Sequence, residues 1–171
     1  MNIHRLAGGI ALIGLIVFTS PASATEISHD CVALLTAAEL KTAVGVVFDE
    51  VSDPVSFSEG QSQCSFFAHT GDGLKSVMFS FWNRTAIREG MISAESIPEF
   101  FDMMVRSKEE VDGEQGTKIQ GVGVRSVLWE GAELSTVYVE AQIGFAEVLA
   151  KGLTRAQLEA VGKAVARPTA K

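Results

Sequence analysis

The stretch CSFFAHTGDGLKSVMFSFW, residues 64–82, places apolar residues at every second position on both sides of a polar break. A period of two is the pattern of a strand, and Thr70-Gly71-Asp72-Gly73 is turn chemistry, so the stretch predicts an antiparallel hairpin. In its second arm Val77, Phe79 and Phe81 share one face of the pleat, and Met78, Ser80 and Trp82 share the other. Phe66, Phe79 and Phe81 are therefore expected in the core.

The same period returns downstream in VRSVLWEGAELSTVYVEAQIGFAEVLA, residues 124–150, which reads as three short antiparallel strands with turns at Gly131 and Gly144. Helix signals lie outside these strands. Thr36-x-x-Glu39 and Thr154-x-x-Gln157 are capping boxes, in which the hydroxyl and the N3 side chain satisfy free backbone N–H groups reciprocally. Leu35 faces Leu40 in the first and Leu153 faces Leu158 in the second, so helices are expected over 37–44 and 155–166. Ser96-x-x-Glu99 with Pro98 starts a middle helix over 97–108, striped by Phe100, Phe101, Met104 and Val105. Residues 83–96 and 108–118 are polar and glycine-bearing and read as loops. The order is helix, strands, helix, strands, helix. It predicts an α+β fold with an antiparallel sheet of about five to six strands and three helices packed mainly on one face.

Upstream, Arg5 precedes a mostly apolar run from Leu6 to Phe18, and Pro21 is followed by Ala22-Ser23-Ala24. That is the layout of a signal peptide over 1–24, and the run is too short to span a bilayer comfortably. The mature chain, 25–171, then forms one domain. Removing 24 of the 171 residues leaves 147, enough to bury a core. Arg5 is the one charged residue lost, so 14 bases and 21 acids become 13 and 21, a formal charge of −8. This balance disfavours nucleic acid and anionic lipid, which need a basic face. No membrane insertion is expected after cleavage, and the location is periplasmic or secreted.

Two cysteines remain, Cys31 and Cys64, and in an exported chain two cysteines most often pair. Lipidation of Cys31 would need small residues before it, where Ile27, Ser28, His29 and Asp30 stand. A catalytic thiol needs an activating histidine, and the mature chain offers only His29 and His69. Zinc sites show close pairs such as C-x-x-C, which are missing here. A disulfide is the reading, with no metal and no cofactor expected.

The set CVALLTAAEL…VG, QCSFF, GVG…LWEG…LSTVYVEA and a closing amphipathic helix resembles a group of uncharacterised exported bacterial domains, secreted or lipid-anchored and common in actinobacteria. The resemblance spans about residues 31–166. It implies the Cys31–Cys64 pairing, the Leu34-Leu35-Thr36 helix start, and a turn at Gly121 and Gly123. Val124 and the missing lipobox depart from the pattern. The group supplies no catalytic residues.

Catalytic signatures are sparse. There is no G-x-S-x-G, and G-x-G at 121–123 follows no βαβ pattern. The leading expectation is a non-catalytic module that binds an unknown protein or small ligand in or outside the cell envelope. Its contacts would lie on the 83–96 and 108–118 segments, because function tends to sit on loops carried by a rigid scaffold. Candidate contacts are Trp82 and Trp129, whose competing role is core packing, and Glu109, Glu110, Asp112 and Glu114. These acids would attract a basic partner, and their competing role is a solvated face. The alternative is a small hydrolase or transferase using His69 with a nearby acid such as Asp72. The exported product is expected to begin at Thr25. Its intact mass checks this, and retention of residues 1–24 or a lipid on Cys31 contradicts it.

Overall fold

The computed structural model describes residues 31–167. The expected signal segment 1–24, the expected start at Thr25 and His29 lie outside these residues. The order is a single helical turn α1 (Cys31–Leu34), α2 (Ala37–Val44), β1 (Glu50–Val51), β2 (Val55–Ser58), β3 (Gln61–Thr70) and β4 (Gly73–Asn83). Then come α3 (Arg84–Glu89), α4 (Ile97–Asp112), β5 (Thr117–Lys118), β6 (Arg125–Trp129), β7 (Ser135–Ala141), β8 (Gly144–Lys151) and α5 (Arg155–Val165). The expected α+β class with one antiparallel sheet is what forms. The strands run β1-β3-β4-β8-β7-β6-β5, with β2 also pairing β3, and every pairing is antiparallel.

The hairpin of residues 64–82 is β3 and β4, closed at Thr70 opposite Gly73. The three late strands are β6, β7 and β8. The sheet has eight strands rather than five to six, because β1, β2 and β5 are two to four residues long, too short to show a period. Four helices stand beside the one-turn α1, rather than three. The added one is α3, whose N-cap Asn83 ends a strand and accepts the Ala86 N–H at 2.9 Å. The middle helix continues past residue 108 to Asp112, where Lys108 pairs with Asp112 at 2.7 Å and Gly113 stops it at φ 71°. The expected 108–118 loop is therefore helix at its start and strand at its end.

The caps form much as read. Thr36 and Glu39, and Thr154 and Gln157, each make both bonds of a capping box. At α4 Ser96 accepts the Glu99 N–H at 3.3 Å, but the Glu99 carboxylate reaches back one residue further, to the Glu95 N–H at 2.9 Å.

Helices cover both faces of the sheet, which corrects the one-face expectation. One cluster joins Val77, Phe79 and Phe81 of β4, Val137 and Val139 of β7, and Ala146 and Val148 of β8 to Leu35, Leu40, Leu158 and Val161 of α1, α2 and α5 and their joins. Alternate residues of the same strands, Tyr138 and Phe145, join Trp129 of β6 and Ile97, Phe100 and Phe101 of α4 in a second cluster. Period two puts these sets on opposite faces. The pattern alone could not show it, because the second face mixes Ser80 and Thr136 with its aromatics.

Two devices fasten the layers. On the first face Cys31 and Cys64 form the expected disulfide, both fully buried, with Cα atoms 5.9 Å apart, and the Cys31 N–H donates to Ser62 Oγ at 2.9 Å. On the second face Arg125 ties α4 to the sheet. Its guanidinium donates to the Glu140 carboxylate, to Asp102 at 2.7 Å and to the Pro98 carbonyl at 3.0 Å, and lies 4.6 Å from the Phe101 ring centroid. Glu140 is only 5% exposed, so this partner keeps a buried carboxylate from standing alone.

The disulfide closes a separation of 33 residues, worth about 3–4 kcal/mol in the chain-entropy account. Replacing both cysteines by alanine is expected to lower unfolding free energy by about that amount. Denaturant titration measures it. An unchanged midpoint, or free thiols in the protein purified without reductant, contradicts the expectation.

Candidate functional site

The end of β4 sets up a strongly apolar concavity. Trp82 is half-buried there, its ring centroid 5.5 Å from Phe145 and 6.2 Å from Phe100, so its floor side is held while its outer edge faces solvent. The next residue, Asn83, is buried and caps α3, so the chain turns directly from strand into helix. The Asn83 N–H donates to the Gly60 carbonyl at 2.8 Å, which locks the β2–β3 turn to the start of α3. Gly60 is required twice: its φ is +79°, and a Cβ would meet the Asn83 side chain at 2.0 Å. At the far end of α3, Gly90 donates its N–H to the Ala86 carbonyl at 2.9 Å, and a Cβ there would lie 2.4 Å from the same oxygen. That tight stop brings Met91 and Ile92 back towards β2.

The resulting concavity holds about 400 Å³, within the range of small-ligand sites. Phe57 of β2 forms one wall, Met91 and Ile92 form another, and Trp82, Phe100 and Met104 form the floor. Ser58 and Gln61 supply the polar side chains of the rim, and no charged residue lines it. Phe57 is 60% exposed, Ile92 57%, and Met91 stands fully in solvent. Such side chains add little to the fold that carries them.

Two further concavities are more polar at their margins. One, of about 270 Å³, lies between Arg84, Arg88 and Glu95. The other, of about 430 Å³, lies between Lys163 and Arg167 and the turn of Gly121 and Gly123, both of which have positive φ.

The residues singled out from the sequence fall in different places. Trp82 belongs to the apolar concavity. Trp129 is 6% exposed and packs: it meets Tyr138 at 5.1 Å, lies under the Lys108 ammonium at 5.7 Å, and donates its indole N–H to the Glu114 carbonyl at 3.3 Å. The two tryptophans contact α4 at Phe100 and Lys108, eight residues or about 12 Å apart along the axis. Glu109 accepts the Gly116 N–H at 3.3 Å, Asp112 pairs with Lys108, and Glu110 and Glu114 are exposed. None of these acids borders a concavity described above. His69 stands exposed opposite Leu74, and Asp72 is exposed in the adjoining turn; neither lines those concavities. Among the described residues no three His, Cys, Asp or Glu side chains group in a way that suits a metal ion. No helix among them is long and apolar enough to cross a membrane.

Sequence reasoning missed Phe57, Met91, Ile92 and Met104 as site residues. The readable signal was two apolar islands, VSF at 55–57 and MI at 91–92, in polar surroundings and outside any period.

Beneath α4 lies a polar pair that was also not foreseen. Tyr138 and Glu147 are cross-strand partners, and the tyrosine hydroxyl bonds to the carboxylate. Burial, followed by the Glu147 charge, pushes the Tyr138 hydroxyl well above the usual tyrosine range. Burial also raises Glu147, opposed by the Tyr138 hydrogen bond and the Lys108 ammonium.

Comparison with known protein families, with curated proteins and with solved structures finds no match.

An acid with a raised folded pKa binds its proton more tightly when folded, so stability falls as pH climbs from the unfolded to the folded value. For Glu147 that fall starts near the ordinary value of 4.5. Glu147→Gln keeps an acceptor for Tyr138 and is expected to flatten the pH dependence there, gaining stability on wild type as pH rises. Denaturant midpoints across the series test this, and parallel curves contradict it.

Proposed function

We propose that this chain is an exported, non-catalytic binding module whose recognition surface is the concavity beside Trp82. The observation that carries this reading is the convergence of Phe57, Met91 and Ile92, all well exposed, on an aromatic floor. Exposed apolar side chains gathered at one spot mark interaction sites, whereas single ones scattered over a surface are ordinary. Covering them releases water from apolar area at about 25 cal/mol per Å². Half-buried Trp82 fits the same role, since tryptophan is enriched where binding energy concentrates.

Of the two segments expected to carry contacts, 83–96 supplies a wall through Met91 and Ile92, while 108–118 is taken up by the end of α4, its cap and β5. Export rests on the signal segment and is compatible with the disulfide. The likeness to the exported bacterial domains belongs to the same proposal.

Met91→Asp with Ile92→Asp is expected to abolish capture of the native partner from an envelope extract while leaving the thermal transition in place. Both residues are exposed, so the fold does not depend on them. Capture undiminished by this pair of changes contradicts the proposed surface. Turnover in a broad hydrolase screen that disappears only in His69→Ala would replace the binding reading with the enzymatic one.

A further inference from the structure

We infer that the outer edge of β2 accepts an extended, basic peptide segment of a partner protein as an added strand, with one apolar side chain of that segment seated beside Trp82; this rests on the binding reading above. Three observations meet at this edge. First, β2 pairs with β3 on one side, and no other strand among the described residues pairs with its outer side. All four of its residues, Val55–Ser58, are exposed. An open strand edge presents backbone donors and acceptors in the pattern that another strand satisfies.

Second, the same edge borders the concavity. Phe57 and Ser58 form its wall, so a strand laid about 4.8 Å outside β2 would run along the rim. Alternate side chains of such a strand point to one face, about 7 Å apart, so one of them can enter while its neighbours stay outside. Pro54 and the irregular register between Ser56 and Ser58 keep the ladder short. Binding must then draw on the seated side chain and on charge as well as on backbone pairing.

Third, charge selects the partner. Between Lys41 and Lys75 the chain has no lysine or arginine, while Asp49, Glu50, Asp53 and Glu59 are all exposed around β1 and β2. Across the concavity α3 carries charges of both signs, Arg84, Arg88 and Glu89, and none of the three lines it. The strand side is therefore uniformly negative and favours a basic segment. It also disfavours a second copy of this chain, which would bring the same acids against themselves.

The test uses the disulfide-bonded mature chain and a labelled heptapeptide alternating lysine with valine around a central phenylalanine, followed by fluorescence anisotropy. Saturable binding is expected, weakened roughly tenfold by raising sodium chloride from low to several times physiological strength. It should weaken by a similar factor with Asp53→Lys and Glu59→Lys together, and when the peptide is N-methylated at alternate residues. A glutamate-for-lysine peptide that binds as well overturns the charge argument, and an N-methylated peptide that binds as well overturns strand addition. Failure of every peptide, with native-partner capture still lost in the Met91→Asp, Ile92→Asp protein, overturns this inference and leaves the binding reading standing. Failure of both measurements removes the two together. A peptide-independent dimer blocked by the Asp53 and Glu59 changes would assign the edge to a second copy and overturn the inference.

Discussion

Everything in this molecule hangs on β4, an eleven-residue strand with bulky side chains on its first face and neighbours that make room for them. Phe79 and Phe81 need space, and the strands on either side provide it. Phe81 sits between Ser62 of β3 and Ala146 of β8, and Phe79 between Cys64 and Val148. The disulfide therefore anchors α1 at a fully buried row of the sheet. On the other face β4 delivers Trp82 to a row that continues through Phe145 and Glu140 to Arg125. One end of that row is clamped to α4 by the guanidinium, and the other is left partly open. The concavity is thus a by-product of how α4 covers the second face: its first turns close over Phe145 and stop short of the β2 edge.

How far the chain could be read depended on how many residues each signal occupied. The hairpin at 64–82 and the strands at 124–150 each repeat their period several times, and the hydrogen-bonded ladders follow it. The capping boxes are equally explicit, since a hydroxyl and a carboxamide or carboxylate three residues apart have little else to do before an apolar run. What escaped was short or ambiguous. Strands of two residues have no period. Asn83 reads as the tail of a strand until one sees its side chain turned onto the Ala86 N–H. Glu109 to Asp112 look like a solvated loop because nothing apolar except Val111 interrupts them, yet a lysine at 108 and a glycine at 113 are ordinary ways to end a helix.

The site was legible only in part, for a related reason. Trp82 stood out by type and Trp129 stood out equally, but burial separates them, and burial depends on α4 crossing the sheet where it does. The apolar partners of Trp82 come from three segments far apart in sequence: Phe57, Met91 with Ile92, and Phe100 with Met104. No spacing rule unites them. Tyr138 and Glu147 meet across β7 and β8, and a two-residue hairpin turn at Gln142 and Ile143 fixes that meeting. Register could have suggested the pair; its depth under α4 could not.

The fit between Gly60 and Asn83 carries a practical consequence for making this protein. Asn83-Arg84-Thr85 is an acceptor sequence for N-linked sugar in a eukaryotic secretory pathway. In the folded chain Asn83 is 8% exposed, its side chain is bonded into the first turn of α3, and Gly60 comes so close that not even a methyl group fits between them. Sugar is transferred to nascent chains before they close. A glycan on Asn83 would occupy the space that Gly60 needs, unseating the cap of α3 and the β2–β3 turn together. Secretion from yeast or animal cells would then divide the product into an unmodified, folded fraction and a glycosylated one that cannot complete the same packing. A bacterial host avoids that division.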